Sequence, residues 1–556
     1  MPRLTAAVAL LALWSGVRAA QDPLDWWKTT TVYQIYPLSF KDSNGDGIGD
    51  LRGILDKLDH VKDMGAGAIW INPFFRSPLE GYGYDITNYC DVDPVFGTIA
   101  DFDELLAKAK GMDIKVILDL VPNHSSDKHE WFIKSTQRVD PYTDYYVWHD
   151  GKVNDAGQRE PPNNWIATIS GSAWTWSDAR QQYYLHQFGV NMPDLNYRNT
   201  LVREEMKKVL RFWLDRGVDG FRVDAVPHLL EDSQFRDESL SNTPGLPPTD
   251  YGYLVHTYTA NVPETYDLIR EWRALLDSEY TNQDQHTRLM MTEAYATVEQ
   301  TMAYYGNATH PGSHLPFNFN FIQYLNGYSK APDYERVVHS WLDNVPAGMT
   351  SNWVAGNHDQ RRVSTRFGTF MRDSINMMVT LLPGTAITYY GEEIGMVDAD
   401  IGGDPSAPER TPFQWDDSTS AGFSTNTSTW LPVNTNYKEL NLKLEAATDR
   451  SYYHVYQKLM EARQSPAVQR GSVNTHALGD TVFTFSRELE GADSFVVVAH
   501  VGDNPETIDL SSVYPALPDN LLVHTSNIES VYAPGSTVPK NAVYLNWKDA
   551  LVLTTK

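Results

Sequence analysis

Three acidic residues stand at the ends of short β-type runs: Asp224 in Gly217–Ala225, Glu293 in Leu289–Tyr295 and Asp359 in Asn352–Asp359. Beside them are His124, in Asp119-Leu-Val-Pro-Asn-His, His358, directly before Asp359, and Arg222, which stands two residues before Asp224. Carboxylates gathered around one pocket suit the hydrolysis of a sugar acetal. That reaction needs a protonated acid on the leaving oxygen and a carboxylate facing the cationic transition state. Neighbouring negative charges raise one carboxyl pKa, and an adjacent arginine holds another ionised. Residues i and i+2 of a strand share a face, so Arg222 would keep Asp224 charged. Asp224 is therefore the predicted nucleophile, and Glu293, facing two other carboxylates, the predicted proton carrier. Any one of the three alone would read as a strand cap or an ion-pair partner.

Such residues converge only if the runs that carry them form one barrel. The remaining runs are Thr31–Pro37, Ala66–Pro73, Ile114–Val121, Pro316–Phe321 and Thr385–Glu392, and amphipathic segments such as Ile54–Met64, Ile99–Gly111 and Asn199–Arg216 lie between them. Eight buried strands alternating with helices predict an α/β fold, a (β/α)8 TIM barrel, with its site at the C-terminal strand ends. The interval from His124 to Gly217 is too long for one crossover and implies an inserted subdomain over residues 125–196. Alternating segments such as Val482–Ser486 and Phe495–Val501 predict an antiparallel β domain over 476–556. The barrel is then residues 25–124 and 197–475.

The 556 residues carry a net charge of −26, with 42% hydrophobic and 21% charged residues. That balance supplies a core and excludes disorder, and the negative surface excludes nucleic acid as a partner. With Cys90 as the single cysteine, an intramolecular disulfide and cysteine-rich zinc sites are excluded. Arg3, the apolar stretch Leu4–Trp14 and small residues near Ala19 read as a signal peptide over residues 1–20. No later run would span a membrane, so a secreted, extracellular protein is expected. Sequons at Asn307 and Asn426 fit that route. Alternating oxygen ligands on a glycine-rich turn, Asp42-Ser-Asn44-Gly-Asp46-Gly-Ile48-Gly-Asp50, suit a hard cation such as Ca²⁺. Gly53 stands where an EF-hand needs its glutamate, so the loop is not one.

The segments DLVPNH, GFRVDAVPH, TEAY and GNHD, with MPDLN, AGAIWINP and GTAITYYGEEIGM, resemble the signature blocks of the α-amylase family of glycoside hydrolases over essentially the whole chain from Asp25. The opening DWWKTTTVYQIYPLSFKDSNGDGIGDLRGI is most similar to insect maltase-type α-glucosidases. The resemblance implies a retaining exo-α-glucosidase with Asp224 as nucleophile, Glu293 as acid/base and Asp359 fixing the substrate. It places Asp85, His124, Arg222, His358 and Arg410 around the bound glucose. Asp85 and Arg410 would close a blind pocket that the insertion walls on one side. The loop Asp42–Asp50 would bind Ca²⁺ or Mg²⁺, with the Ile48 carbonyl as one ligand. Ala225 after the nucleophile points to α-1,4 bonds, as in maltose, or to sucrose. Met192 stands where many relatives have glutamine, which leaves acceptor specificity open. An endo-acting amylase, a sucrose-specific or transferring glucosidase, and a non-enzymatic transporter-subunit or receptor role are the alternatives. Oligomeric state is not legible.

Overall fold

The computed structural model describes residues 24–400 and 407–556; the expected signal peptide lies outside them. Eight parallel strands form its centre: β1 (Thr31–Ile35), β2 (Ala68–Ile71), β3 (Lys115–Leu120), β4 (Gly220–Val223), β5 (Leu289–Thr292), β6 (Leu315–Pro316), β7 (Asn352–Val354) and β8 (Thr385–Tyr389). Their hydrogen-bonded order is β6-β5-β4-β3-β2-β1-β8-β7, a TIM barrel with one seam between β6 and β7. Side chains bridge that seam. Asn352 accepts the Asn318 N–H (2.9 Å) and donates to the Pro316 carbonyl (2.7 Å), while Asn318 Nδ2 donates to the Asn352 carbonyl (3.0 Å). The strand expected over Pro316–Phe321 is corrected here. It stops at Pro316, which has no N–H to extend a ladder, and the chain turns into a short helix at Asn320–Tyr324.

The strands are buried on both faces, one against helices and one against the barrel interior. Alternation sorts the residues. Val32, Ala68, Trp70, Ile117, Leu289, Met291 and Ile387 pack together inside the barrel, and Arg222 is brought to the same interior by the two-residue period. Helix α1 (Ile99–Gly111) opens with a capping box between Thr98 and Asp101 and buries Phe102, Leu105, Leu106 and Ala109 on one face. Helix α2 (Thr200–Leu214) is capped by Asn199 and buries Val202, Met206, Val209 and Trp213. The helix expected over Ile54–Met64 is instead two, Leu51–Asp56 and Leu58–Asp63, broken at Lys57 (φ −107°, ψ 8°).

The insertion holds a helix, Glu130–Thr136, and a three-stranded sheet of Trp148–His149, Gln182–Leu185 and Trp174–Ser177. A small core of its own contains Val147, Trp165, Trp174 and Leu185. At the C-terminus, β9 (Ser472–Leu478), β10 (Val482–Glu488), β11 (Phe495–His500), β12 (Asn520–Ser526), β13 (Thr537–Pro539) and β14 (Ala550–Thr554) form an antiparallel sheet ordered β9-β10-β11-β14-β12-β13. It begins ahead of the expected residue 476, because Ser472 already pairs with Glu488. Phe483, Phe485, Val497 and Val552 join the main core, whereas Val482, Val496, Leu551 and Leu553 face a separate cluster.

Candidate active site

Asp119 on β3 and Arg222 on β4 are register partners. Arg222 Nη1 donates to Asp119 Oδ1 (2.9 Å) and sits in direct contact with Asp224. Its Nη2 stands 3.6 Å from Glu293 Oε2. One buried guanidinium thus holds the carboxylates that end three neighbouring strands. Glu293 Oε2 also accepts the Ala225 N–H (2.7 Å). Ala225 takes a left-handed backbone conformation (φ 48°, ψ 36°) to deliver it, a strained geometry of the kind held at functional sites.

Asp359, beyond β7, is bound by Arg410 Nη2 (3.0 Å) and lies 3.5 Å from His358 Nε2. Arg410 Nε donates to the His358 carbonyl (2.5 Å). The Tyr84 hydroxyl donates to Asp119 Oδ2 (3.1 Å), accepts from Asn72 Nδ2 (2.8 Å) and meets His358 Nε2 at 2.6 Å. Because that hydroxyl proton goes to Asp119, His358 must donate through Nε2. Its Nδ1 then accepts from Gln34 Nε2 (2.9 Å). Burial pulls His358 down to about 3, so the ring is neutral, as that pattern requires.

Burial separates the carboxylates in acidity. It pushes Glu293 up to about 8, opposed by Arg222 and reinforced by Asp224 and Asp359. Asp224 is raised by burial and drawn back by Arg222 in contact. Asp359 lies below the usual range: burial pushes it upward, but His358, Arg410 and Arg222 together outweigh that. A glutamic acid that keeps its proton at neutral pH beside aspartates that can ionise is an acid–base pair set by environment.

These groups open into one cavity of about 710 Å³, lined by Asp224, Glu293, Asp359, His124, His358 and Arg410 among others, a size suited to a small ligand. His124 Nε2 is buried without a protein partner there, which leaves it for a ligand. Asp85 does not line the cavity. It is fully buried behind Gly81, bonded by Ser77 Oγ (2.7 Å) and the Glu80 N–H (3.1 Å). The sequence reading missed Tyr84 and Asp119 as site residues, although an Asp facing an Arg on the next strand is a legible cross-strand pair. It also missed the segment after β4 that brings Tyr251 and Ala260 to the cavity, which has no periodicity to announce it.

The loop Asp42–Asp50 folds on itself. Asp42 Oδ1 accepts from the Asn44 (3.0 Å) and Gly45 (2.6 Å) N–H groups, and its Oδ2 from Gly47 (2.8 Å). Asp46 Oδ1 accepts the Ile48 N–H (2.8 Å), and Asp50 caps the next helix through Gly53. Among the described residues no three His, Cys, Asp or Glu side chains are arranged as a metal cluster. Asp42 and Asp50 are nevertheless buried, and among the described residues neither has a Lys, Arg or His in salt-bridge contact, so the loop's cluster of oxygen donors fits a hard cation.

The α-amylase catalytic-domain family matches residues 34–471. The chain belongs to the α-amylase family. Within it, this chain is 44% identical to Maltase A1 of Drosophila melanogaster over 98% of both proteins. It is 38% identical to an amino acid transporter heavy chain of Homo sapiens, over 99% of this chain and 80% of that protein. Among solved structures, an alpha-glucosyl transfer enzyme superposes with a TM-score of 0.82 at 32% identity, covering 96% of this chain and 100% of that one.

Proposed function

We propose that the chain is a secreted, retaining, exo-acting α-glucosidase that releases glucose from the non-reducing ends of maltose and short α-1,4-glucosides. The observation that carries this is the shared Arg222. Asp224 contacts one of its terminal nitrogens and Glu293 lies 3.6 Å from the other. One guanidinium in reach of both gathers into a single pocket the two carboxyl groups that glycoside hydrolysis needs, and the retaining, double-displacement route is the reading that fits the α-amylase family. Asp224 attacks the anomeric carbon while Glu293 protonates the leaving oxygen; Glu293 then takes a proton from water, which releases the sugar. Asp359 and Arg410, paired beside His358, supply acceptors and donors for the hydroxyls of the bound ring. The transporter subunit among the relatives means that the framework alone does not establish catalysis; the convergence of three carboxylates in one cavity supports it here. Maltose, sucrose, isomaltose, trehalose and starch, assayed side by side, test the reading. Maltose should be cleaved well and starch poorly, and starch cut internally, with viscosity falling before glucose appears, would favour an endo-amylase.

A hard divalent cation in the loop Asp42–Asp50 is a separable part of the proposal. It is supported by the two buried carboxylates that lack a salt-bridge partner among the described residues and would be structural, bound by Asp42, Asn44, Asp46, Asp50 and the Ile48 carbonyl. Chelation should lower Tm more than initial activity; an unchanged melting curve, with no metal found by elemental analysis, would remove it. Export is supported by the leader read at residues 1–20 and by the sequon at Asn307. That residue is exposed, and its Oδ1 accepts from Thr309 Oγ1 (2.8 Å).

A further inference from the structure

The strand order sets β4 and β5 across the barrel mouth from β8 and β1, and side chains from both sides line the cavity. On one side its lining is polar: Tyr84 after β2, His358 and Asp359 after β7, and Arg410 after β8. On the other side stand Tyr295 after β5, Pro227 after β4, and Ile169 and Phe188 from the insertion, with Thr168, His228 and Tyr251 among their polar neighbours. Ile169 is tied to that side through the backbone. The Thr168 N–H donates to the Gln187 carbonyl (2.7 Å), and Gln187 Nε2 donates to the carbonyl of His228, just past β4.

Two of these apolar groups are unusually open to solvent for cavity walls, Ile169 at 74% and Tyr295 at 40%. Tyr295 is held rigid. Its ring stacks on Phe319 at 4.5 Å, and its hydroxyl accepts from Asn357 and Gln360 at 3.3 Å each. Two polar neighbours are already engaged, His228 Nδ1 with Gln187 (3.0 Å) and Glu80 with Lys128.

Glu293 protonates the leaving oxygen, so the leaving group lies on the side of Glu293, where Tyr295 stands two residues further along. We propose that this half of the cavity is an apolar aglycone subsite, in which Tyr295 and Ile169 receive the hydrocarbon part of an alkyl leaving group. The inference rests on the α-glucosidase reading and deepens it: alkyl α-glucosides with longer chains are better substrates than those with short ones. The rigid ring and the exposed isoleucine exchange contact with water for contact with the chain, a gain that grows with each methylene buried.

An alkyl α-glucoside series tests this without changing the chemistry at the acetal, since the leaving alcohols are nearly equally basic. kcat/KM should rise about tenfold from methyl to hexyl α-glucoside. Ile169→Ser should lower the hexyl-to-methyl ratio about threefold or more, and Ile169→Leu should restore it. Since Ile169 is largely exposed, melting curves of both variants should overlay that of the parent. A series that releases glucose but is flat in chain length overturns the subsite and leaves the activity standing. A ratio untouched by Ile169→Ser overturns the assignment of that residue. No glucose from methyl α-glucoside or from maltose would overturn the α-glucosidase reading itself, and the subsite with it.

Discussion

At the scale of the residue, the account turns on Glu293 holding a proton while Arg222 in contact favours the charged form of Asp224, and His358, Arg410 and Arg222 that of Asp359. With burial pushing Glu293 up to about 8, kcat/KM should fall as pH rises through that value, because the acid is lost. The same shift bears on stability. Between the ordinary glutamate value of 4.5 and about 8, the folded chain keeps a proton that the unfolded chain has released. Stability contributed by this group is therefore lost as pH rises across that window. Glu293→Gln, which cannot ionise, should be inactive yet melt above the parent at pH 8, with the gap closing towards pH 5; an equal gap at both would contradict the raised pKa. Asp224→Asn should lose kcat about 10⁴-fold or more with its melting curve intact. The catalytic three were legible because their strand-end positions and the arginine two residues before Asp224 follow from a period of two. The burial of Asp85 was not, since nothing in its sequence neighbourhood shows that Ser77 and the Glu80 N–H engage its carboxylate beneath Gly81.

At the scale of the element, the barrel owes its closure to two asparagines where the ladder runs out. β6 is two residues long and ends in proline, so Asn318 and Asn352 supply the bonds that strands would. Asn352→Ala leaves a buried N–H and carbonyl unpaired, which should cost about 2–4 kcal/mol. Because Asp359 hangs from β7 just beyond, the variant should lose activity at temperatures below its own melting point. A melting temperature unchanged by Asn352→Ala would mean that helix packing alone holds the seam. Strand existence was readable from the alternation of apolar runs and helices. The bounds of the sixth strand were not, because a proline and polar asparagines within an apolar run give no signal of side-chain pairing. The break at Lys57 was equally silent, lying inside a continuous amphipathic pattern.

At the scale of the whole molecule, the C-terminal sheet is bonded to the barrel as part of one core. Phe483, Phe485 and Val552 pack in the same cluster as the outer helices. Arg487 Nη1 donates to the Leu381 carbonyl (2.8 Å) at the end of a barrel helix. Calorimetry should therefore record one unfolding transition for both parts, and two well-separated transitions would contradict the shared core. The insertion and the segment after β4 complete the cavity wall, so the site is a product of the assembled molecule, not of the barrel alone. The claim on which everything else depends is that Asp224 forms a covalent glucosyl intermediate with Glu293 beside it. The direct measurement is proton NMR of the glucose released from methyl α-glucoside in the first minutes, before mutarotation, since that substrate yields only the glucose whose anomeric carbon has reacted. Two displacements at one carbon predict α-glucose as the initial product. β-Glucose would mean a single displacement by water, and would contradict Asp224 as the nucleophile.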